Sequence, residues 1–330
     1  MAGNDKLDRK GFIRTMGGAV LMSTPLMAVL STVTGCGSAS AFRNDELFTS
    51  RHFTEPDSFT SGVEGPAVDR EGNLYAVNYE RQHTIGKVTP EGEASVFVEL
   101  QNGSIANGIR FNSEGDMFLA DYTNHNVLKV DMDSRAVSVF AHQPQMSQPN
   151  DLAIGANDIL YASDPNWSEG TGKLWRINTD GSTTLLRDNM GTTNGIEVSP
   201  DENKLYVYES GRDNATRRRG IWTYDLSPEG EISNRRLHIE FDEHGADGMR
   251  CDVDGNLYVA RYGRGSVAIV SPEGDVIREI EMAGGTSISN LAFGGPDGCT
   301  VYVTVADMGN IQVFRTDRPG RSWRLYEERR

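Results

Sequence analysis

Residues 64–78 read "EGPAVDREGNLYAVN". Two short apolar runs, "AV" and "LYAV", flank a turn made of Asp, Glu, Gly and Asn. That is the signature of two antiparallel strands joined tightly. The pattern returns as "NGIRFNSEGDMFLAD" from Asn107, "NDLAIGANDILYASD" from Asn150 and "NGIEVSPDENKLYVYES" from Asn194. It returns again as "DGMRCDVDGNLYVAR" from Asp247 and "NLAFGGPDGCTVYVTVAD" from Asn290. The starts are 43, 43, 44, 53 and 43 residues apart. The long interval holds the polar insert "GRDNATRRRG" and the stretched "LSPEGEISNRRLHIEFDEHG". Two further strand-like runs complete a unit, as in "GSVAIVSPEG" and "DVIREIEM" after Asp247. Four strands in about 43 residues make one propeller blade. The expectation is an all-β fold, a six-bladed β-propeller with four-stranded antiparallel blades. No helical periodicity stands out beyond the N-terminal segment. "ELFTSRHFTEP" (46–56) and "SWRLYEE" (322–328) both look strand-like, and either could complete the last blade and remove its free edge.

In a propeller the first strand of each blade lines the central channel. Glu64, Asn107, Asn150, Asn194, Asp247 and Asn290 therefore form one ring at one mouth. Turn chemistry accounts for the Asn residues, but Glu is a poor turn residue. Two carboxylates among four amides, with no Lys or Arg, suit a hard divalent cation that takes oxygen donors. Without a cation, Glu64 and Asp247 repel each other and one tends to protonate. The second strand runs back to the same mouth. Its end residues, Asn78, Asp121, Asp164 and Glu209, are expected around the pocket. Trp167 follows in the next loop, and His244 lies three residues before Asp247.

The chain has 330 residues and a net charge of −15, which repels phosphate backbones and argues against nucleic-acid partners. Lys6, Arg9, Lys10 and Arg14 precede an uncharged run from Met16 to Gly35. A basic head, an apolar core and a small-residue exit are the anatomy of an export signal. A single membrane anchor is the other reading, but Gly17, Gly18 and Pro25 make it a poor one. "VTGC" resembles a bacterial lipobox with Cys36 as the lipidated residue, and "DRKGFIR" resembles a twin-arginine motif with Lys10 in place of the second Arg. The expected organisation is an export signal over 1–35, a linker and possible closing strand over 36–55, and one propeller over 56–330. Cleavage removes four basic and two acidic residues, so the mature chain is two charges more negative. The expected location is the periplasm, or the membrane through a lipid on Cys36. Cys251 and Cys299 lack metal-ligand spacing, and a disulfide between them is the lesser expectation. P-loop, CxxC, HExxH and GxSxG motifs do not occur.

From about residue 55 to 315 the sequence resembles the SMP-30/gluconolactonase family of calcium-dependent lactonases. The resemblance rests on "GVEGPAVD", "PNDLAIG", "TTNGIEVSPDENKLYV" and "GADGMRCDVDGNLYVA". It implies a metal held by Glu64, Asn150, Asn194 and Asp247, with Asp247 also the catalytic base. The implied cofactor is one divalent cation, calcium first, with magnesium, manganese or zinc as alternatives. Asn107, Gln148, Asp164, Trp167 and His244 are then the candidate substrate-binding residues, and the partner is a small lactone or ester. Gln148 stands where some sugar-lactonase members carry Arg. A Gln lacks the charged fork of Arg, so the resemblance does not carry over a sugar acid lactone as substrate. Two other propeller types compete: a non-catalytic NHL-like binding scaffold, which "GDMFLADYTNHNVLKVD" would suit, and a strictosidine synthase-like enzyme.

Overall fold

A computed structural model of the chain describes residues 47–211 and 219–328. The expected export segment and Cys36 lie outside the described residues. Six four-stranded antiparallel sheets follow one another along the chain. The innermost strands are Ala67–Val68, Ala106–Phe111, Leu152–Ile154, Thr192–Val198, Met249–Cys251 and Ile288–Gly294. In five sheets the strands are hydrogen-bonded in sequence order. In the sixth, the outermost strand is Arg51–His52, from the start of the described chain. Arg51 pairs with Val313 and His52 with Gln312. Of the two candidate segments, "ELFTSRHFTEP" therefore closes the ring.

Each blade turns from its first to its second strand on side-chain hydrogen bonds. In the first, Asp69 accepts the backbone N–H and the amide of Asn73, both at 2.8 Å. Asp252 accepts the same two groups from Asn256, at 2.9 and 2.8 Å. These Asx turns make the "D-x-x-G-N" spelling of the repeat a structural requirement. The second strand of each blade then carries one large aromatic at the same register: Tyr75, Phe118, Tyr161, Tyr206, Tyr258 and Tyr302. All six are buried.

The core is six clusters, one at each seam between neighbouring blades. Tyr75, Phe97, Ile109 and Leu119 join the first blade to the second. Val68, Leu74, Ala292 and Tyr302 join the sixth back to the first. No blade has a core of its own, so the fold is stable only as a ring.

The C-terminus corrects an expectation. "SWRLYEE" lies in a helix, α1 (Arg321–Glu328). Its approach is fixed where the Gly320 N–H donates to Gly298 O at 3.0 Å and Trp323 packs against Gly298, which leaves no room for a Cβ. Tyr326 is buried with Ala67 and Phe111 and its phenol donates to Val68 O at 3.0 Å. Cys251 is a free, buried thiol, so the pairing of Cys251 with Cys299 does not form.

Candidate metal and catalytic centre

Five of the six ring residues stand outside the regular ladder, and the sixth, Asn290, pairs with Thr304 directly after a register slip. In the first, third and fifth blades the inner strand begins only after Glu64, Asn150 and Asp247. In the other three the register slips at the ring position, between Ala106 and Ile109, Thr193 and Ile196, and Ile288 and Asn290. Such bulges re-aim a side chain. Neighbours in the ring pack against one another. Gly65 lies on Asn107 O, Gly108 on Asn150 O, Gly195 on Asp247 O and Gly248 on the Asn290 amide, each too close to accept a Cβ. This explains why four of the six ring residues are followed by Gly.

One device, repeated in every blade, holds the segment that leads into the ring. The residue ending the second strand hydrogen-bonds that segment. The Asn78 amide donates to Gly62 O at 2.8 Å, and Asp121 accepts the Ser104 hydroxyl at 2.8 Å. Asp164 accepts the Ser147 and Gln148 N–H groups at 2.7 and 2.6 Å, and the Trp175 indole at 2.9 Å. Glu209 accepts the Gly191 N–H at 2.9 Å. Arg261 donates to Gly245 O and Glu243 O at 3.2 and 2.7 Å. Asp307 accepts the Thr286 and Ser287 N–H groups at 2.8 and 3.1 Å. These end residues position the ring. Asp164, expected among the substrate contacts, is buried with its oxygens spent on this clamp.

At the ring itself, Glu64 accepts the Gly65 N–H at 2.5 Å and the Asn290 amide at 2.8 Å. The Asp247 carboxyl hydrogen-bonds both Asn194 and Glu64. Burial, then the Asp151 charge, pushes Glu64 up to about 7, against the pull of the Gly65 N–H and the Asn290 amide. Burial, then the charges of Glu64 and Asp151, raises Asp247 well above the usual carboxylate range. The pair therefore shares protons at neutral pH. Asn150 is buried, and its Oδ1 has no hydrogen-bond partner. Among the described residues no three His, Cys, Asp or Glu side chains gather as a ligand cluster. The donor set is instead two touching carboxylates, the orphaned Asn150 oxygen and the Asn194 amide. All are oxygen donors, and a hard cation would relieve both the repulsion and the orphan. The residues fit such an ion.

A cavity of about 320 Å³ opens on this point. Asn194 and Asp247 line it with Trp167, Thr192, Tyr208, Ser210, Gly245, Ala246 and Tyr262. Glu64 and Asn150 are not among its walls. Gln148 and Trp167 both act on the Tyr122 phenol, lowering its pKa against the effect of burial. His244 is exposed beside Gly263, and its neighbours Gly245 and Ala246 face the cavity instead. Asn107 is half-buried, with its carbonyl against Gly65.

Below the ring lies a charged layer that the sequence reading did not anticipate. Asp151 takes Arg250 at 3.1 Å and Arg110 at 3.4 Å. Against the cost of burial, these guanidiniums hold Asp151 below the usual carboxylate range. Arg250 reaches Glu197 at 3.9 Å. From α1, Arg321 reaches Glu197 at 3.4 Å, Ile154 O at 3.0 Å and Glu202. The only sequence signal was position: Arg110, Glu197 and Arg250 each lie three residues after a ring member.

Comparison with known proteins follows the same boundaries. The SMP-30/Gluconolactonase/LRE-like region profile matches residues 62–307. The gluconolactonase of Zymomonas mobilis subsp. mobilis is 27% identical over 343 residues, 88% of this chain and 94% of that protein. The diisopropyl-fluorophosphatase of Loligo vulgaris is 26% identical over 302 residues, 82% of this chain and 93% of that protein. A calcium-binding regucalcin from Agrobacterium tumefaciens superposes with a TM-score of 0.71 at 19% identity, over 83% of this chain and 95% of that one. At that identity the last likeness concerns the fold.

Proposed function

The chain belongs to the SMP-30/gluconolactonase/LRE-like family, and on that premise we propose that it is a hydrolase that opens lactones or related esters at the mouth of its channel. The observation that carries the reading is the division of labour within the carboxylate pair. Asp247 faces the cavity. Glu64 touches Asp247 from below and is held by the Gly65 N–H and the Asn290 amide. The relative from Zymomonas mobilis, matched over nearly its whole length, is a gluconolactonase, which supports lactone opening.

Glu64, Asn150, Asn194 and Asp247 would hold a divalent cation, calcium by preference, which would polarise the scissile carbonyl and stabilise the charge that develops on it. Asp247 is the general base. It takes a proton from the attacking water as the water oxygen bonds to the acyl carbon. It returns the proton to the departing alkoxide as the ring C–O bond breaks. Asn194, hydrogen-bonded to Asp247, orients that carboxylate. Glu64 is a ligand that supplies charge and reach but no surface to the substrate. Export, with a lipid on Cys36, is the location we infer from the N-terminal sequence. In that case Cys36→Ser releases the protein from the membrane fraction.

The reading is tested with the purified protein and a panel of lactones, after chelation and again with calcium, magnesium, manganese or zinc restored. Turnover that vanishes on chelation and returns with a divalent ion is the expected result. An ion that binds tightly while no lactone or phosphotriester turns over would make the ring structural.

A further inference from the structure

Among the described residues, the exposed large apolar side chains fall into two groups. Val139, Leu185, Leu237, Val276 and Ile277 stand on outermost strands. The other two are the only aromatics, Trp167 at 45% exposure and Tyr262 at 46%. Both line the one cavity that also contains Asn194 and Asp247. They reach it from the third and fifth blades, on either side of the fourth. Two aromatic faces left in water over a reactive carboxylate mark a binding surface.

The wall is built. The Trp167 and Gln148 side chains both act on the Tyr122 phenol, lowering its pKa against the effect of burial. Gln148 is in turn fixed by its backbone N–H to Asp164. The exposed indole face remains for a ligand. The Tyr208 phenol is engaged by the Ala246 backbone. That leaves Thr192, Ser210 and Tyr262 as the hydroxyl-bearing walls with no such partner described. No Lys or Arg lines the cavity among the described residues. An anionic ligand would find no guanidinium or ammonium partner among these described walls.

Resting on the hydrolase reading, we propose that the substrate is an uncharged lactone bearing a flat apolar group, which packs between Trp167 and Tyr262. Tyr122 and Gln148 are positioning residues for Trp167.

The test compares γ-phenyl-γ-butyrolactone with glucono-δ-lactone on the calcium-loaded protein. The phenyl lactone is expected to show a kcat/KM at least about tenfold higher. Trp167→Ala should raise its KM about tenfold with kcat little changed, because stacking acts on substrate and transition state alike. Trp167→Phe should recover most of that loss. Binding is read separately from hydrolysis by quenching of Trp167 fluorescence with the lactam 5-phenyl-2-pyrrolidinone, with Trp167→Phe as the blank. Preference for glucono-δ-lactone, or a phenyl-lactone KM untouched by Trp167→Ala, overturns the substrate class and leaves the hydrolase reading standing. Turnover of neither lactone overturns both.

Discussion

Glu64 and Asp247 are two acids in contact inside a protein, and the folded state makes each harder to ionise. The consequence for stability has a definite sign. A carboxyl whose folded pKa is raised binds its proton more tightly when folded. The chelated protein is therefore most stable at low pH within this window and loses stability as pH rises from about 4.5 through about 7. Saturating calcium supplies the missing positive charge and should flatten the slope. Thermal melts at pH 5 and pH 8, with chelator and with calcium, measure this. A chelated protein more stable at pH 8 would contradict the pairing. Glu64 was legible in the sequence because it breaks a row of Asn and Asp at one register. Tyr122 was not, because its two partners, Gln148 and Trp167, come from the next blade. Asp151 read only as the letter after a ring Asn, and its charge has meaning only beside Arg110 and Arg250 across the channel.

Among the elements, the second strands were read correctly as strands, and their end residues were expected around the pocket as candidate substrate or cation contacts. The clamp they form is visible only when the loop ahead of each ring residue is seen folding back on them. Arg261→Met removes two of these bonds from the loop that carries Asp247. It should lower kcat about tenfold to a hundredfold while the fold persists, which steady-state kinetics with circular dichroism would check. An unchanged kcat would reduce Arg261 to a packing residue. The segment "SWRLYEE" misled because Trp323 and Leu325 alternate as a strand would, while Trp323 and Tyr326 are spaced as a helix. Seven residues cannot separate the two periods. The helix they form seals the channel base over a small cavity of about 50 Å³ that Cys251 lines with Arg321, Leu325 and Tyr326. Ending the chain after Gly320 should expose the buried Cys251 thiol, so that a thiol reagent titrates one further group without denaturant. If labelling is unchanged, α1 does not seal the channel. Arg321→Ala leaves Glu197 with the Val198 N–H and, as its charged partner, the longer contact to Arg250, and should cost about 3–5 kcal/mol in denaturant melts.

For the molecule as a whole, the repeat spacing was enough to read a closed ring of six blades. It could not say which terminus closes it, because the closing strand is only two residues, Arg51–His52. What settles closure is the seam around it. Thr54 accepts the Ile311 N–H on its hydroxyl at 3.0 Å, and the Phe53 N–H donates to Ile311 O at 2.9 Å. Phe53 packs on Tyr302 with ring centroids 5.0 Å apart. Deleting residues up to Thr54 reopens the edge of the sixth blade and should lower the melting temperature by about 10 °C. Ring closure also fixes the chemistry, because Glu64 and its partner Asn290 belong to the first and last blades. In the proposed function this ring is a hydrolytic centre in which Asp247 is the base and Glu64 a ligand. The most direct measurement is kcat for lactone opening by calcium-saturated wild type, Asp247→Asn and Glu64→Gln, with calcium affinity measured on each by calorimetry. Asp247→Asn should still bind calcium at saturation but lose about a thousandfold in kcat, while Glu64→Gln should lose affinity first. Asp247→Asn turning over at the wild-type rate with calcium bound would contradict that assignment.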